Sequence, residues 1–362
     1  MRPYFSSGPC VKHLGWSLEK LDRPFLNRSH RSDIAKEHIK SIIERQKKVL
    51  HIPHDYKLAI VPASATGAME MAMWCFLGNR RVNVHVMDVF SKIWAHDIKH
   101  QLKIDANIFE AEYGALPTLH HNSKHDLVMT ISATTTGVAY PDVDWIKEER
   151  EGLVIVDATA AAFCFDIPFE KFDVVAFSWQ KGLGGEAAHG MLALSPRALQ
   201  QLETYIPDWP IPRIMSLWLG DKVNHGIFEG LTLNTPSMLS LADVECALDW
   251  VDALGGADGL YKKAAENVSF LYDWVVNTPG LTPMATRDIQ AKGGAVCFYA
   301  DTFTSFDEYR EFAQTLANAG LLFDIVNHAH SKPSFRVWCG ATVEKNDLAY
   351  LTQVFSDKIS TF

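Results

Sequence analysis

Apolar residues recur along this chain in two rhythms. Short, nearly unbroken apolar runs occupy residues 58–61, 126–131, 152–157, 173–178 and 190–194, and Val82-Asn-Val-His-Val86 adds a further strand. Runs of that length, carrying little polar alternation, predict strands of a sheet covered on both faces, as parallel sheets are. Between them the spacing changes to that of helices. Ser32 or Asp33 is able to cap a helix whose Ile34, Ile42, Ile43, Val49 and Leu50 fall roughly on one face. Further helices are expected over 68–77, around Trp94, over 196–204 and over 239–254.

Strands alternating with helices from about 58 to 195 predict an α/β domain with a mostly parallel sheet and helices on both faces. Residues 1–32 read as irregular, with turn chemistry at Ser6, Ser7, Gly8 and Pro9. Gly255-Gly256 reads as a helix end and a domain boundary. Beyond it the style changes to helix 260–276, strand 295–299, helix 306–319, strand 335–338 and helix 344–355. The expected division is a large domain over 1–256 and a smaller α+β domain over 257–362.

This frame gives one stretch special meaning, Ser178-Trp-Gln-Lys-Gly-Leu-Gly-Gly-Glu-Ala-Ala-His-Gly190. Lys181 stands just past the carboxyl end of the 173–178 strand, the edge at which open α/β sheets bind ligands. Gly182, Gly184 and Gly185 let the backbone approach a ligand closely. A lysine in such a place serves as a Schiff-base amine when its surroundings lower its pKa. Two other readings stay open for the motif alone. Gly182-x-Gly184-x-x-Ala187 with Glu203 matches a dinucleotide fingerprint, although a strand rather than a helix follows the glycines. A solvated surface lysine is the blander possibility.

A second anchor favours cofactor chemistry. Asp157 ends the apolar run 152–157 and precedes Lys181 by 24 residues, about one strand, loop and strand. Pyridoxal 5'-phosphate needs this pair, a lysine for its aldehyde and a carboxylate that keeps its ring nitrogen protonated. Pro62-Ala-Ser-Ala-Thr-Gly67, between a strand and a helix start, is a phosphate cradle in which Ser64, Ala65 and Thr66 offer hydroxyl and backbone N–H groups. Ordinary capping by Ser and Thr is the alternative there.

Composition narrows the class. The 362 residues carry a formal charge of −9, which argues against a general nucleic-acid binder. The six cysteines are scattered without a C-x-x-C pair, as packed thiols of a cytoplasmic protein would be. No apolar stretch suits a signal core or a membrane span. His120, His121 and His125 lie in a polar loop without a ligand-bearing frame, so no metal site is expected and the three read as solvated.

Phe5-Ser-Ser-Gly-Pro9, Ser29-His-Arg31, Val156-Asp-Ala158, Ser178-Trp-Gln-Lys181, Gly185-Glu-Ala-Ala-His-Gly190, Phe228-Glu-Gly230, Asn234-Thr-Pro-Ser-Met238 and Arg336-Val-Trp338, taken in order, resemble the phosphoserine aminotransferases. These belong to the class V group of fold-type I pyridoxal-phosphate enzymes. The resemblance implies a seven-stranded central sheet and a ping-pong transamination between a small amino donor and a 2-oxoacid acceptor. Phosphoserine with 3-phosphohydroxypyruvate and glutamate with 2-oxoglutarate would be the exchanging pairs. It implies that Trp94 stacks on the cofactor ring, that Thr134 meets its phenolic oxygen, and that Gln180 helps hold its phosphate. Asn234 and Thr235 would reach the phosphate from the other subunit of a homodimer. His30, Arg31 and His328 would hold the substrate phosphate, and Arg336 the α-carboxylate. The sequence departs from the pattern at Ser132, where asparagine is common, and at Thr66 and Ala329, where arginines often stand. Those departures leave open a related transaminase acting on a different small anionic or polar amino acid.

Overall fold

A computed structural model describes residues 1–290 and 292–359. The central sheet has seven strands, β1 (Lys57–Pro62), β2 (Val82–Val86), β3 (Ala106–Glu110), β4 (Asp126–Thr130), β5 (Val154–Asp157), β6 (Val174–Ser178) and β7 (His189–Leu194). Their spatial order is β1-β7-β6-β5-β4-β2-β3. All run in one direction except β7, which returns antiparallel between β6 and β1.

Side chains alternate across this sheet, and both sets are buried. Leu58, Ile60, Met129, Val156 and Phe177 point into one apolar layer, which contains α1 (Asp33–Val49) and α5 (Met238–Ala253). Ala59, Val61, Val128, Ile155 and Ala176 point into the other, which contains α2 (Ser64–Phe76), α3 (Val89–His96) and α4 (Pro196–Thr204). Each fully buried Val, Ile or Leu contributes about 1.5–3 kcal/mol, so two covered faces account for the unbroken apolar runs. Ser32 caps α1, its hydroxyl accepting from the Ala35 N–H.

Several elements differ from the sequence expectation. β3 was not anticipated, because an edge strand with Asn107 and Glu110 exposed carries little apolar signal. α2 begins at Ser64 rather than near residue 68: Ala63 and Ser64 turn the chain with φ of 66° and 60°. Gly255, with φ 98°, caps the start of α6 (Gly256–Asn277) immediately after α5, so that the glycine pair forms a corner between two helices.

α6 passes from one core to the next. Leu260 and Ala264 pack beneath the central sheet, while Val268, Leu271 and Val275 pack against a second sheet. A small hairpin, β8 (Trp218–Leu219) and β9 (Lys222–Val223), precedes α5 in the chain. The second sheet is antiparallel, β10 (Leu281–Pro283), β11 (Ala295–Ala300) and β12 (Phe335–Trp338), accompanied by α7 (Arg287–Gln290), α8 (Phe306–Asn318) and α9 (Lys345–Ile359). Phe5 and Cys10 belong to its core, and the Trp338 N–H donates to the Phe5 carbonyl at 3.1 Å. The N-terminal segment is thereby held across the carboxyl edge of the central sheet, where the Cys10 N–H donates to the Gln180 carbonyl at 2.8 Å.

Candidate active site

Parallel strands deliver their last residues to one edge, and that edge holds a cleft of about 150 Å³. β4 contributes Thr130, and the following loop contributes Ser132 and Thr134. β5 contributes Asp157, β6 leads to Gln180 and Lys181, β2 leads to Asp88, and β1 leads to Ala65 and Thr66 on the first turn of α2. Trp94 enters from α3 and Gly8 from the N-terminal segment.

The loop after β6 turns tightly enough to aim Lys181 inward. The Gly184 N–H donates to the Lys181 carbonyl at 2.9 Å, and the Gly185 N–H to the Trp179 carbonyl at 2.8 Å. Gly184 has φ 69°, which a side chain would strain. Lys181 Nζ donates to the Ser7 carbonyl at 2.8 Å and to Thr134 Oγ1 at 3.2 Å. Burial pushes the Lys181 ammonium below its usual range; Cys10, Asp157 and Asp88 oppose that fall and Arg336 adds to it.

Asp157 is buried, with Oδ1 accepting from the Thr159 N–H at 3.0 Å and Oδ2 from the Trp94 indole N–H at 3.1 Å. Burial pushes its carboxyl up, against the hydrogen bonds from Thr159 and Trp94, and Asp88 adds to the rise. Asp88 joins α3 to the loop after β4. Its Oδ1 accepts from the Ser91 N–H at 2.9 Å and its Oδ2 from Thr135 Oγ1 at 3.0 Å.

Ala65, Thr66, Trp94, Thr134, Asp157, Gln180 and Lys181 therefore meet in one cleft, as the sequence reading groups them. Ser64 is next to them as the first residue of α2. His328 reaches the rim, its ring centroid 5.9 Å from that of Phe90, a residue of the cleft wall. Arg336, on β12, lines a neighbouring cleft with Ser6, Arg310 and Asp324, and its buried Nε has no partner. Asn234, Thr235 and Arg31 are exposed and His30 half-buried, and none of the four lines the Lys181 cleft of their own chain. Lys332 lies 3.5 Å from Glu112. His121, taken from sequence as solvated, is buried, its Nδ1 accepting from the Lys147 N–H at 2.9 Å. Sequence reasoning passed over Asp88, Thr159 and the Ser7 carbonyl. Asp88 follows an apolar strand as Asp157 does, which is the signal that would have found it.

The donor set suits pyridoxal phosphate. Asp157 is a buried carboxylate whose protein partners are neutral donors, so it lacks the cation that a protonated ring nitrogen would supply. The first turn of α2 has no side-chain cap, which leaves backbone N–H groups for an anion at the cleft.

The same fold occurs in solved aminotransferases. Crystal structures of PLP-bound phosphoserine aminotransferase from Trichomonas vaginalis (TM-score 0.81, 17% identity, covering 98% of this chain and 100% of that one) and of an aspartate aminotransferase from Thermus thermophilus (TM-score 0.81, 22% identity, 99% of each) superpose on nearly its whole length. At those identities the likeness is one of fold, and the class it defines is the aminotransferase fold. No family model matches the chain. Sequence comparison goes further: the phosphoserine aminotransferase of Methanosarcina barkeri is 47% identical over 355 residues, spanning 97% of this chain and 95% of the relative. The chain belongs to the phosphoserine aminotransferase family.

Proposed function

We propose that this protein transfers the amino group between phosphoserine with 3-phosphohydroxypyruvate and glutamate with 2-oxoglutarate, a step of serine biosynthesis, using pyridoxal 5'-phosphate carried by Lys181. The observation that carries the reading is the meeting of Lys181, Asp157 and the uncapped start of α2 in one cleft, in a chain that is 47% identical to a phosphoserine aminotransferase. When bound, the cofactor supplies an aldehyde and an electron-withdrawing ring.

The protein's groups do the rest. Burial lowers the Lys181 pKa, so that more of its amine would be in the free-base form able to hold the aldehyde carbon and, when displaced by the amino donor, to carry the proton from the substrate Cα to the cofactor C4′. Asp157 holds the proton on the ring nitrogen. The face of Trp94 would support the ring, and Thr134 Oγ1, which accepts from Lys181 Nζ, would meet the phenolic oxygen. Ser64, Ala65, Thr66 and Gln180 hold the phosphate. Arg336, with an unpartnered buried Nε, takes the substrate α-carboxylate as a bidentate partner. His328 at the rim, with His30 and Arg31, takes the far anionic end.

Asn234 and Thr235 are exposed in a segment that also exposes Leu231 and Leu239. That exposure supports a homodimer in which each chain completes the other's phosphate site and brings His30 and Arg31 to it. Residues 1–256 act as the cofactor-binding domain and 257–362 as the smaller one. No described helix is long and apolar enough to cross a membrane, and the working compartment is the cytoplasm.

A donor screen on purified protein with pyridoxal phosphate tests the assignment, with phosphoserine and 2-oxoglutarate giving glutamate as the expected best pair. Turnover of other small donors without phosphoserine would assign the related transaminase reaction that Thr66, Ser132 and Ala329 leave open.

A further inference from the structure

We propose that Trp94 acts on the reaction through its indole N–H as well as its ring face, by holding Asp157 in the ionised form and in a fixed orientation. The inference rests on the pyridoxal-phosphate reading and deepens it. A residue needed only to cover a ring could be any aromatic. Here the indole donates to Asp157 Oδ2 at 3.1 Å, with Trp94 and Asp157 only 3% and 5% exposed.

Geometry makes this contact an oriented one. α3, which carries Trp94, starts in a capping box: the Ser91 N–H donates to Asp88 Oδ1 at 2.9 Å and the Asp88 N–H to Ser91 Oγ at 3.0 Å. Asp88 Oδ2 also accepts from Thr135 Oγ1, which ties the helix start to the loop holding Thr134. Trp94 is thus fixed from its own helix, and Asp157 is fixed on its other oxygen by the Thr159 N–H.

The groups facing the carboxylate set the direction of the effect. Burial favours the protonated acid and Asp88 pushes the same way, while Thr159 and Trp94 stabilise the anion. Lys181 is the other titratable group that faces it. Removing the indole donor leaves burial and Asp88 less opposed, so Asp157 should protonate at higher pH. A protonated Asp157 no longer holds the proton on the ring nitrogen, and the acid limb of kcat/KM should rise with it.

The test uses the full-length protein. In W94F, which keeps an aromatic face, the carboxyl carbon of Asp157 should titrate at higher pH by NMR in the cofactor-free protein. The acid limb of kcat/KM should move in the same direction in the loaded one. An unchanged Asp157 midpoint in folded W94F overturns the proposal. Should W94F fail to fold, the wild-type cofactor-free protein decides: the Trp94 indole N–H resonance must shift with Asp157 titration, and a resonance indifferent to it overturns the proposal. Borohydride labelling of Lys181 in the wild type tests the underlying reading separately.

Discussion

Gly190 is the point at which the fold braces the start of α2, and G190A probes whether that brace serves the cofactor. Gly190 lies in β7 between Val61 of β1 and Ser178 of β6. A Cβ there would sit 2.3 Å from the Ser64 carbonyl oxygen and 2.7 Å from the Ala68 Cβ. Both atoms belong to the first turns of α2, where backbone cannot swing aside as a flexible side chain would. Overpacking of this kind costs about 1–3 kcal/mol, or roughly 1–4 °C in Tm for a chain of this length. The displaced turn carries Ala65 and Thr66 at the cleft. Loss of one good hydrogen bond from it to the cofactor phosphate should weaken binding about tenfold. Calorimetry of the cofactor-free protein and fluorescence titration with pyridoxal phosphate read the two effects. A wild-type Tm would refute the packing argument, and a lowered Tm with unchanged affinity would detach α2 from the phosphate.

Three further outcomes follow from the same structure. Mixing inactive K181A with inactive N234A under subunit exchange should restore activity in sites holding both intact residues, whereas mixed dimers without activity would mean unshared sites. R31A should raise KM for phosphoserine about tenfold or more while leaving KM for an unphosphorylated donor such as alanine nearly unchanged, since a charge-assisted bond to phosphate is lost; equal effects would remove Arg31 from the phosphate pocket. Burial pushes Asp126, at the amino end of β4, up from 3.8 to about 6, against the Leu153 N–H and Arg80. A folded pKa above the unfolded one means stability falls as pH rises from about 4 to about 6, and D126N should flatten that part of the unfolding curve measured in urea.

How much of this was legible in the sequence depended on where each residue's partners lie. β4, β5 and β6 were legible because burial on both faces writes an unbroken apolar run. β3 and the short β10 were not, since an edge strand and a three-residue strand carry too little pattern. The start of α2 was missed because Thr66 and Gly67 are weak helix formers, and a pair of left-handed residues rather than a cap begins it. Lys181 and Asp157 were legible because strand ends bring them together within one chain. Asp88 was hidden by being a helix cap as well as a cleft residue. Asn234, Thr235, His30 and Arg31 have no neighbours in the cleft of their own chain, so only the family resemblance pointed to them.

The central claim is that one lysine, at the carboxyl end of β6, carries the cofactor. Reduction of the pyridoxal-phosphate-loaded protein with borohydride, followed by peptide mapping, tests it directly. The account predicts the label on the peptide containing Lys181, and its loss in K181A. A labelled peptide lacking Lys181 would contradict it.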